Sequence, residues 1–512
     1  MGKDSLLFSA PQQRSRQSLT SKTSDVASHS RELSKFSGIS ATFFPNLNTT
    51  SRDVKLVDLT GDGRPDVLIC SDQVFTWYPS LGSDGYGPGR LATQPPREEE
   101  GLVCLFSDTE QLLYIAELSG DGLLDIVRIK NSDICCWPNF GDGTFGSLVR
   151  MDNAPVFDHC DAFNESRIRL ADIDGYGTTG IVYFTPDGIN IYRSQSGNSF
   201  SSAVSIPPMF PLDDTISVHT VDLLGNGKIC IVWSTSTSSL TRQPFRYIDL
   251  NKGKKPHLLG KIINNLGAKT ALHYAPSTKF YLDDLKKGDP WVANVPFPVH
   301  CVEKVKISDK ISQVHFVRRF SYHHGYFNGT EREFRGFARI EELDTDSFTA
   351  MRSRSSASID VCWHVPPVRT TTWFHTGVFV GGDTWSQQLS REYFSASLED
   401  TSGGGVSGPL LPDSIAPGSG LSTDALRECY RALKGRILRK GVYGEVASDK
   451  ATIPYLIQEN NYAVKVAQGA QDSHQHSVYS VFPRESISCQ MERDPSDARI
   501  EHSFALADSL NS

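Results

Sequence analysis

The densest group of side chains able to do chemistry is a loop of the form D-x-T-x-D-G-x-x-D. Asp58, Thr60, Asp62 and Asp66 set oxygen donors at its positions 1, 3, 5 and 9. A hard cation such as Ca²⁺ needs that density of oxygen, and a glycine lets the backbone turn around it. A second copy offers Glu117, Ser119, Asp121 and Asp125. A third keeps Asp172 and Asp174 but has Tyr176 and Gly180 at the later positions, and a fourth has Leu224 and Asn226 there. Calcium is therefore the one cofactor the residues suggest. Asp58, Asp62 and Asp66 would hold it first, then Glu117, Asp121 and Asp125, with affinity falling as the charge count falls along the copies. The competing reading is a set of Asp/Gly turns closed by hydrogen bonds, with no ion.

Other constellations are weaker. Tyr322-His323-His324-Gly325-Tyr326 contains adjacent histidines, which on a strand point to opposite faces and seldom chelate one ion. It reads as a strand running into a turn. Glu331-Arg332-Glu333 resembles the paired glutamates of ADP-ribosyltransferases, since both carboxylates would share one face of a strand. A three-residue pattern also arises readily by chance. Asp213-Asp214 and Asp283-Asp284 read as solvated acids in turns. The chain has no G-x-S-x-G, no P-loop and no Rossmann glycine pattern between a strand and a helix. No nucleophile, base and oxyanion set stands at a recognisable spacing, so no catalytic residue is assigned.

The elements that position these loops repeat. VKLVDLTGDGRPDVLIC starts at Val54, LYIAELSGDGLLDIVRI at Leu113, IRLADIDGYGTTGIVYF at Ile168 and VHTVDLLGNGKICIVWS at Val218. Their anchoring acids, Asp58, Glu117, Asp172 and Asp222, lie 59, 55 and 50 residues apart. Each unit reads as strand, Gly-rich loop, strand, and a further strand follows in the first three. That period and strand count match the size of a β-propeller blade. The flanking strands should pack apolar faces between blades, with the four loops at equivalent places.

Composition narrows the class. The chain has 512 residues and a net charge of −8, from 51 basic and 59 acidic residues. That small excess gives no reason to expect a nucleic-acid or anionic-membrane partner. Charged residues are 21%, which disfavours a coiled coil or a wholly disordered chain. Ten cysteines with no C-x-x-C are too few for a disulfide scaffold and read as reduced, mainly buried thiols. No stretch approaches the roughly 18 apolar residues of a membrane span. The N-terminal apolar run is too short for a secretory signal.

The expected organisation is a disordered polar tail (1–49), propeller blades (50–243), a β-rich segment (244–350) and a second β-rich segment (351–512). The last contains one helix over about 423–440. It begins at Ser422 or Thr423 and carries Leu426, Tyr430, Leu433 and Ile437 on one face. TAMRSRSSAS is a low-complexity gap, and 401–420 is a Gly/Ser/Pro-rich linker. The fold class is mainly β: a partial or irregular β-propeller followed by a β-rich segment.

DLTGDGRPD and NFGDGTFG look like FG-GAP/VCBS propeller repeats. LGAKTALHYAPSTKFYLDD, WVANVPFPVHCVEKV and FSYHHGYFNGTEREFRGFARIEELDTDSF closely resemble the middle region of TcB-type subunits of insecticidal Tc toxin complexes, the SpvB/TcdB family. HVPPVRTTTWFHTG, LLPDSIAP, CYRALKGRILRKGVYG and FPRESISCQMERDPSDARIEHSF resemble the region that follows it there. The resemblance covers about 50–512 in consistent order. It implies a propeller that docks on and gates a TcA-like translocation channel. It also implies a β-sheet that builds, with a TcC-like partner, a hollow Rhs-type shell around a toxic enzyme. The implied role is a non-catalytic scaffold, secreted within a toxin complex without a classical signal peptide, or cytoplasmic before release. Three departures stand out: four blade units where the family has more, a short polar tail in place of the family's upstream N-terminal region, and an end at Ser512 where the family's shell continues. A middle fragment or reduced homologue, with an unpaired sheet edge that self-associates or needs its partner, is the expectation. An SpvB-like ADP-ribosyltransferase and a ligand-binding, adhesion-type propeller are the alternatives.

Overall fold

The computed structural model describes residues 53–505 apart from 93–112, 208–215, 236–244, 345–365, 380–388, 395–409, 415–420 and gaps of five residues or fewer. The polar tail, TAMRSRSSAS, Asp213-Asp214 and most of the 401–420 linker lie outside the described residues. The chain divides near residue 256 into two compact units.

Among the described residues the first unit consists of four small antiparallel blade sheets and one separate two-stranded ribbon. The first has β1 (Val54–Val57), β2 (Asp66–Ser71), β3 (Val74–Tyr78) and β4 (Arg90–Ala92). The second has β5 (Leu113–Ala116), β6 (Asp125–Lys130), β7 (Asp133–Trp137) and β8 (Val149–Arg150). The third has β9 (Ile168–Ala171), β10 (Gly180–Thr185) and β11 (Gly188–Tyr192), then a ribbon of β12 (Ser194–Gln195) and β13 (Ser199–Phe200), and is closed by β14 (Val204–Ile206). The fourth has β15 (Ile216–Val221), β16 (Cys230–Thr235) and β17 (Phe245–Asp249). In every sheet the Asp/Gly loop joins the first strand to the second, as the repeat requires. The boundary expected at 243/244 is too early, because Phe245–Asp249 pairs with β16 as the third strand of its blade.

The period of two along a strand explains how the sheets pack into a propeller-like row. Ile126 and Cys135 turn to the first blade and pack with Leu68, Cys70, Phe75 and Trp77. Their neighbours Val127, Ile129 and Cys136 turn to the third blade, meeting Ile168, Ile181 and Tyr183. In the third blade Ile181 and Tyr183 face back, while Val182 and Phe184 face forward onto Val218, Ile231 and Trp233. The adjacent cysteines 135 and 136 thus serve two different seams. Each large side chain so buried contributes about 1.5–3 kcal/mol.

The second unit is one sheet of ten strands in strict chain order, every neighbour antiparallel. Its strands are β18 (Lys261–Ile263), β19 (Ala268–Pro276), β20 (His300–Asp309), β21 (His315–Asn328), β22 (Glu333–Leu343), β23 (Val368–Phe374), β24 (Ile437–Gly444), β25 (Leu456–Gln468), β26 (Val478–Gln490) and β27 (Arg499–Phe504). The division expected at 350/351 is not structural, since β22 and β23 pair directly across it.

Helix α1 (Ser277–Lys287) fills the connection from β19 to β20 and had not been expected. It ends at Gly288, whose φ of +85° a side chain would resist, with Lys286 and Lys287 in the last turn where the helix dipole favours cations. Helix α2 (Thr423–Arg431) has the expected Ser422 cap, its hydroxyl accepting from the Ala425 N–H. It is shorter than the expected 423–440. The chain turns at Gly435, with φ +78°, and residues from Ile437 join the sheet beside β23 instead.

Gly143 supplies a sharp test of the first seam. Its φ is +85°, and a Cβ there would lie 2.0 Å from Trp77 Nε1 of the neighbouring blade. Gly143→Ala should lower the unfolding free energy by about 3 kcal/mol in denaturant titration, from overpacking and backbone strain together. Gly253→Ala, at φ +76° with nothing within 4 Å, should show the backbone part alone, about 1 kcal/mol.

Candidate functional site

The first two loops are built around a buried aspartate. Asp66 Oδ2 accepts the Leu59 and Thr60 N–H groups at 3.0 and 3.3 Å, and its Oδ1 accepts Ser80 N–H at 2.7 Å. Asp125 repeats the pattern one blade on, with Leu118, Ser119 and Asn139 as donors at 3.0, 3.1 and 3.0 Å. Position 9 therefore clasps the start of the loop to the end of the third strand. Asn139 Nδ2 carries the link to the preceding blade by donating to Leu59 O at 2.8 Å. Asn251 does the same for the fourth blade, donating to Ile173 O at 2.7 Å.

The other acids shape their own turns. Asp58 Oδ1 accepts from Asp62 N, Asp62 Oδ1 from Arg64 N, Glu117 Oε1 from Gly120 N and Asp121 Oδ1 from Leu123 N. Burial pushes the carboxyls of Asp66, Glu117 and Asp125 up, against the N–H donors that pull them down. Gly180 and Cys230 take position 9 in the later copies, so the clasp is absent there. At the fourth blade Asp249, from the end of the third strand, accepts Asn251 and Gly253 N–H and lies 3.9 Å from the buried Lys228 ammonium.

The described residues contain no group of three or more His, Cys, Asp or Glu side chains placed to hold a metal ion. Asp66 and Asp125 also have both oxygens occupied by N–H donors. This donor arrangement is that of hydrogen-bonded Asp/Gly turns.

The second unit carries its chemistry as buried, paired charge. Asp284, expected to be solvated, is buried on α1, where its Oδ2 accepts Trp291 Nε1 at 2.8 Å and meets His323 Nδ1 at 2.5 Å. Burial works to raise this carboxyl, but His323, Trp291 and Arg339 hold it below its ordinary value. The next residue, His324, takes φ +55° and turns to Glu392, whose carboxylate also accepts Arg339 and Trp373 Nε1. Burial would raise Glu392 too, yet these partners bring it down to about 2. His323 and His324 therefore run on within β21 rather than into a turn, and each pins a different element to it.

Glu331 and Glu333 do share a neighbourhood, but it is a cationic one. Arg335, Arg431 and Lys434 bind them at 2.6–3.2 Å. Arg439 and Glu459 pair at 2.7 Å in the sheet interior, where Glu459 also accepts Leu411 N–H. The described cysteines are free thiols and all but Cys160 are buried. Burial pushes Cys136 and Cys301 up to about 12, which removes them as nucleophiles at neutral pH.

What remains open is the outer rows of the sheet. Edge strand β18 exposes Ile262 and Ile263, and every residue of the opposite edge, β27, is exposed, Phe504 by 67%. An edge of unpaired N–H and C=O groups flanked by apolar side chains favours pairing with another strand. Beside β27 lies a cavity of about 480 Å³ lined by Arg436, Ile437, Tyr462, Glu485 and Phe504, among others.

The clasp gives the next test. Asp125→Ala leaves three N–H groups of the rim without their acceptor and should cost about 3 kcal/mol or more in chemical denaturation. Asp121→Ala, which loses one exposed turn bond, should cost under about 1 kcal/mol.

Comparison with known proteins agrees with this architecture. The family model for the insecticide toxin TcdB middle/N-terminal region matches residues 194–376, and that for the TcdB middle/C-terminal region matches 428–510. A search of curated protein sequences found no significant match. Among solved structures, the Tc holotoxin pore of Photorhabdus luminescens aligns with a TM-score of 0.73 at 26% identity, over 90% of this chain and 20% of that one. A TcdB2-TccC3 structure aligns with a TM-score of 0.66 at 22% identity, over 88% of this chain and 26% of that one. TcdB2-TccC3 without its hypervariable C-terminal region gives 0.66 at 21% identity, over 89% and 25%. The chain thus spans about a fifth to a quarter of the chains it matches. With the two middle-region models together covering just over half of its residues in the expected order, the chain belongs to the TcdB family of insecticidal Tc toxin proteins, the TcB type.

Proposed function

We propose that this chain acts as a non-catalytic scaffold of a Tc-type toxin complex, providing propeller blades and a shell wall. The observation that carries this reading is the ten-stranded sheet in chain order with an exposed strand at each edge. Such a wall is built to be continued by more strands, and its buried charges are occupied in holding it together. The alignment to the holotoxin pore over most of this chain supports the same reading. The proposed partners are a TcC-like subunit completing the shell and a TcA-like channel meeting the propeller. Secretion within the complex follows from that proposal. No helix among the described residues is long and apolar enough to cross a membrane.

The ADP-ribosyltransferase alternative loses support from the ion pairs of Glu331 and Glu333. Burial would raise Glu333, but Lys434, Arg431 and Arg335 hold it low, as suits a structural anion. We further propose that the rim loops work as turns without calcium.

Co-expression with a TcC-like chain should give one co-purifying complex, and the chain incubated with NAD should label no target protein. Glu331→Gln with Glu333→Gln should then affect stability alone. Labelling that disappears in that double variant, with no complex formed, would replace the scaffold by the enzyme. Calorimetry with Ca²⁺ should show no binding heat and no shift in melting temperature.

A further inference from the structure

His375 follows β23 and is buried where helix α2 meets the sheet. Its ring stacks on Tyr430 of α2, with centroids 5.9 Å apart. Its main chain is bonded twice to the turn after α2, accepting Gly435 N–H at 2.8 Å and donating to Arg436 O at 2.9 Å. Its Nδ1 accepts the Gly377 N–H at 2.9 Å. That last bond requires an unprotonated Nδ1, so the ring here is neutral. A second proton would set N–H against N–H inside the protein.

The surroundings make that proton still less welcome. From β22, Arg335 reaches in and donates to Gly377 O at 2.6 Å, only two residues from the ring. The turn and helix add Lys434, Arg436, Arg427 and Arg431. Of the carboxylates near this corner, Glu331 and Glu333 are already bound by Arg335, Arg431 and Lys434, Glu428 of α2 is held by His476 and Ser477, and Asp413 acts on the Tyr430 ring. A protonated His375 would therefore be a buried cation beside a buried guanidinium. Burial, then Arg335, pushes the imidazole down to about 4 from an ordinary 6.5.

We propose that His375 is an acid-sensitive pin: on taking up a proton it leaves its site and releases the 432–436 turn and the Tyr430 face of helix α2 from β23, while Cys429 and Leu433 still pack α2 on Tyr462 and Val464. That turn carries Gly435 and Arg436, which line the 480 Å³ cavity beside β27, so acid remodels the cavity wall as well. The direction follows from linkage. The opened state binds the proton at the ordinary imidazole value and the packed state only near 4. The packed corner is fully favoured above about pH 6.5 and loses stability as pH falls toward 4.

Amide exchange of the full chain tests this, corrected for the intrinsic pH dependence of exchange. Opening of peptides spanning 375–379 and 430–436 should be about twentyfold more populated at pH 5 than at pH 7, while peptides of β6 and β10 should change little. His375→Asn, which keeps an acceptor near the Nδ1 position but takes no proton, should flatten the response to under about twofold. If that variant fails to fold, ¹⁵N-histidine spectra of the unaltered chain decide. One imidazole should stay in the neutral, Nε2-protonated form down to about pH 4. A response to acid that persists unchanged in His375→Asn, or a His375 ring already charged at pH 6, would overturn the proposal.

Discussion

Strands that are buried on both faces must suit two neighbours at once, and the first unit rests on that constraint. In β6 and β7 of the second blade, alternate residues belong to alternate seams: Ile126 and Cys135 to one, Val127 and Cys136 to the other. A slip of one residue would exchange every partner. The clasps of Asp66 and Asp125 fix the loop end of these blades, where the strands are short and the ladder alone holds few bonds. Burying those carboxylates is costly in electrostatic terms. The three N–H groups each one satisfies would otherwise be left without a partner at the rim.

The second unit solves a different problem. A ten-stranded sheet with described helices α1 and α2 in two of its connections leaves long strands to be held in register over its width. It does so with aromatic packing and with buried polar pairs. Phe280 of α1 meets Tyr322 edge-on, and Trp291 meets Phe337 the same way. Asp284 with His323 and Glu392 with His324 each fasten an element from outside the strand pair, while Arg439 and Glu459 pair across β24 and β25 and reach Phe394 O and Leu411 N–H beyond them. Such pairs add little net stability over apolar packing, but breaking one is expensive, which makes them devices of position.

The sequence showed the blades because their signal is local: a loop of Asp and Gly between two β-branched runs can be read within 17 residues. The seams also followed from alternation. What escaped was non-local. The partners of His323 and His324 lie 39 and 68 residues away, and no spacing rule points to them. Helix α1 leaves little trace in the sequence: it begins directly after Pro276 with no side-chain cap, and its inward face includes an aspartate. In sequence, ILRK at 437–440 looks like the basic last turn of a helix. Arg439 instead points into the sheet toward Glu459, 20 residues later. The low-complexity gap near 350 suggested a boundary, yet gaps in composition do not interrupt a sheet whose strands pair across them.

The central proposal is that at least one outer strand of the large sheet, β18 or β27, is an assembly surface. Amide exchange of β18 and β27 in the isolated chain and in complex with a TcC-like partner tests it most directly. The account predicts fast exchange at Lys261–Ile263 and Arg499–Phe504 in isolation, with strong protection of at least one edge on assembly. Edges that exchange equally fast in a stable complex would show that the partner binds elsewhere, and would contradict the claim.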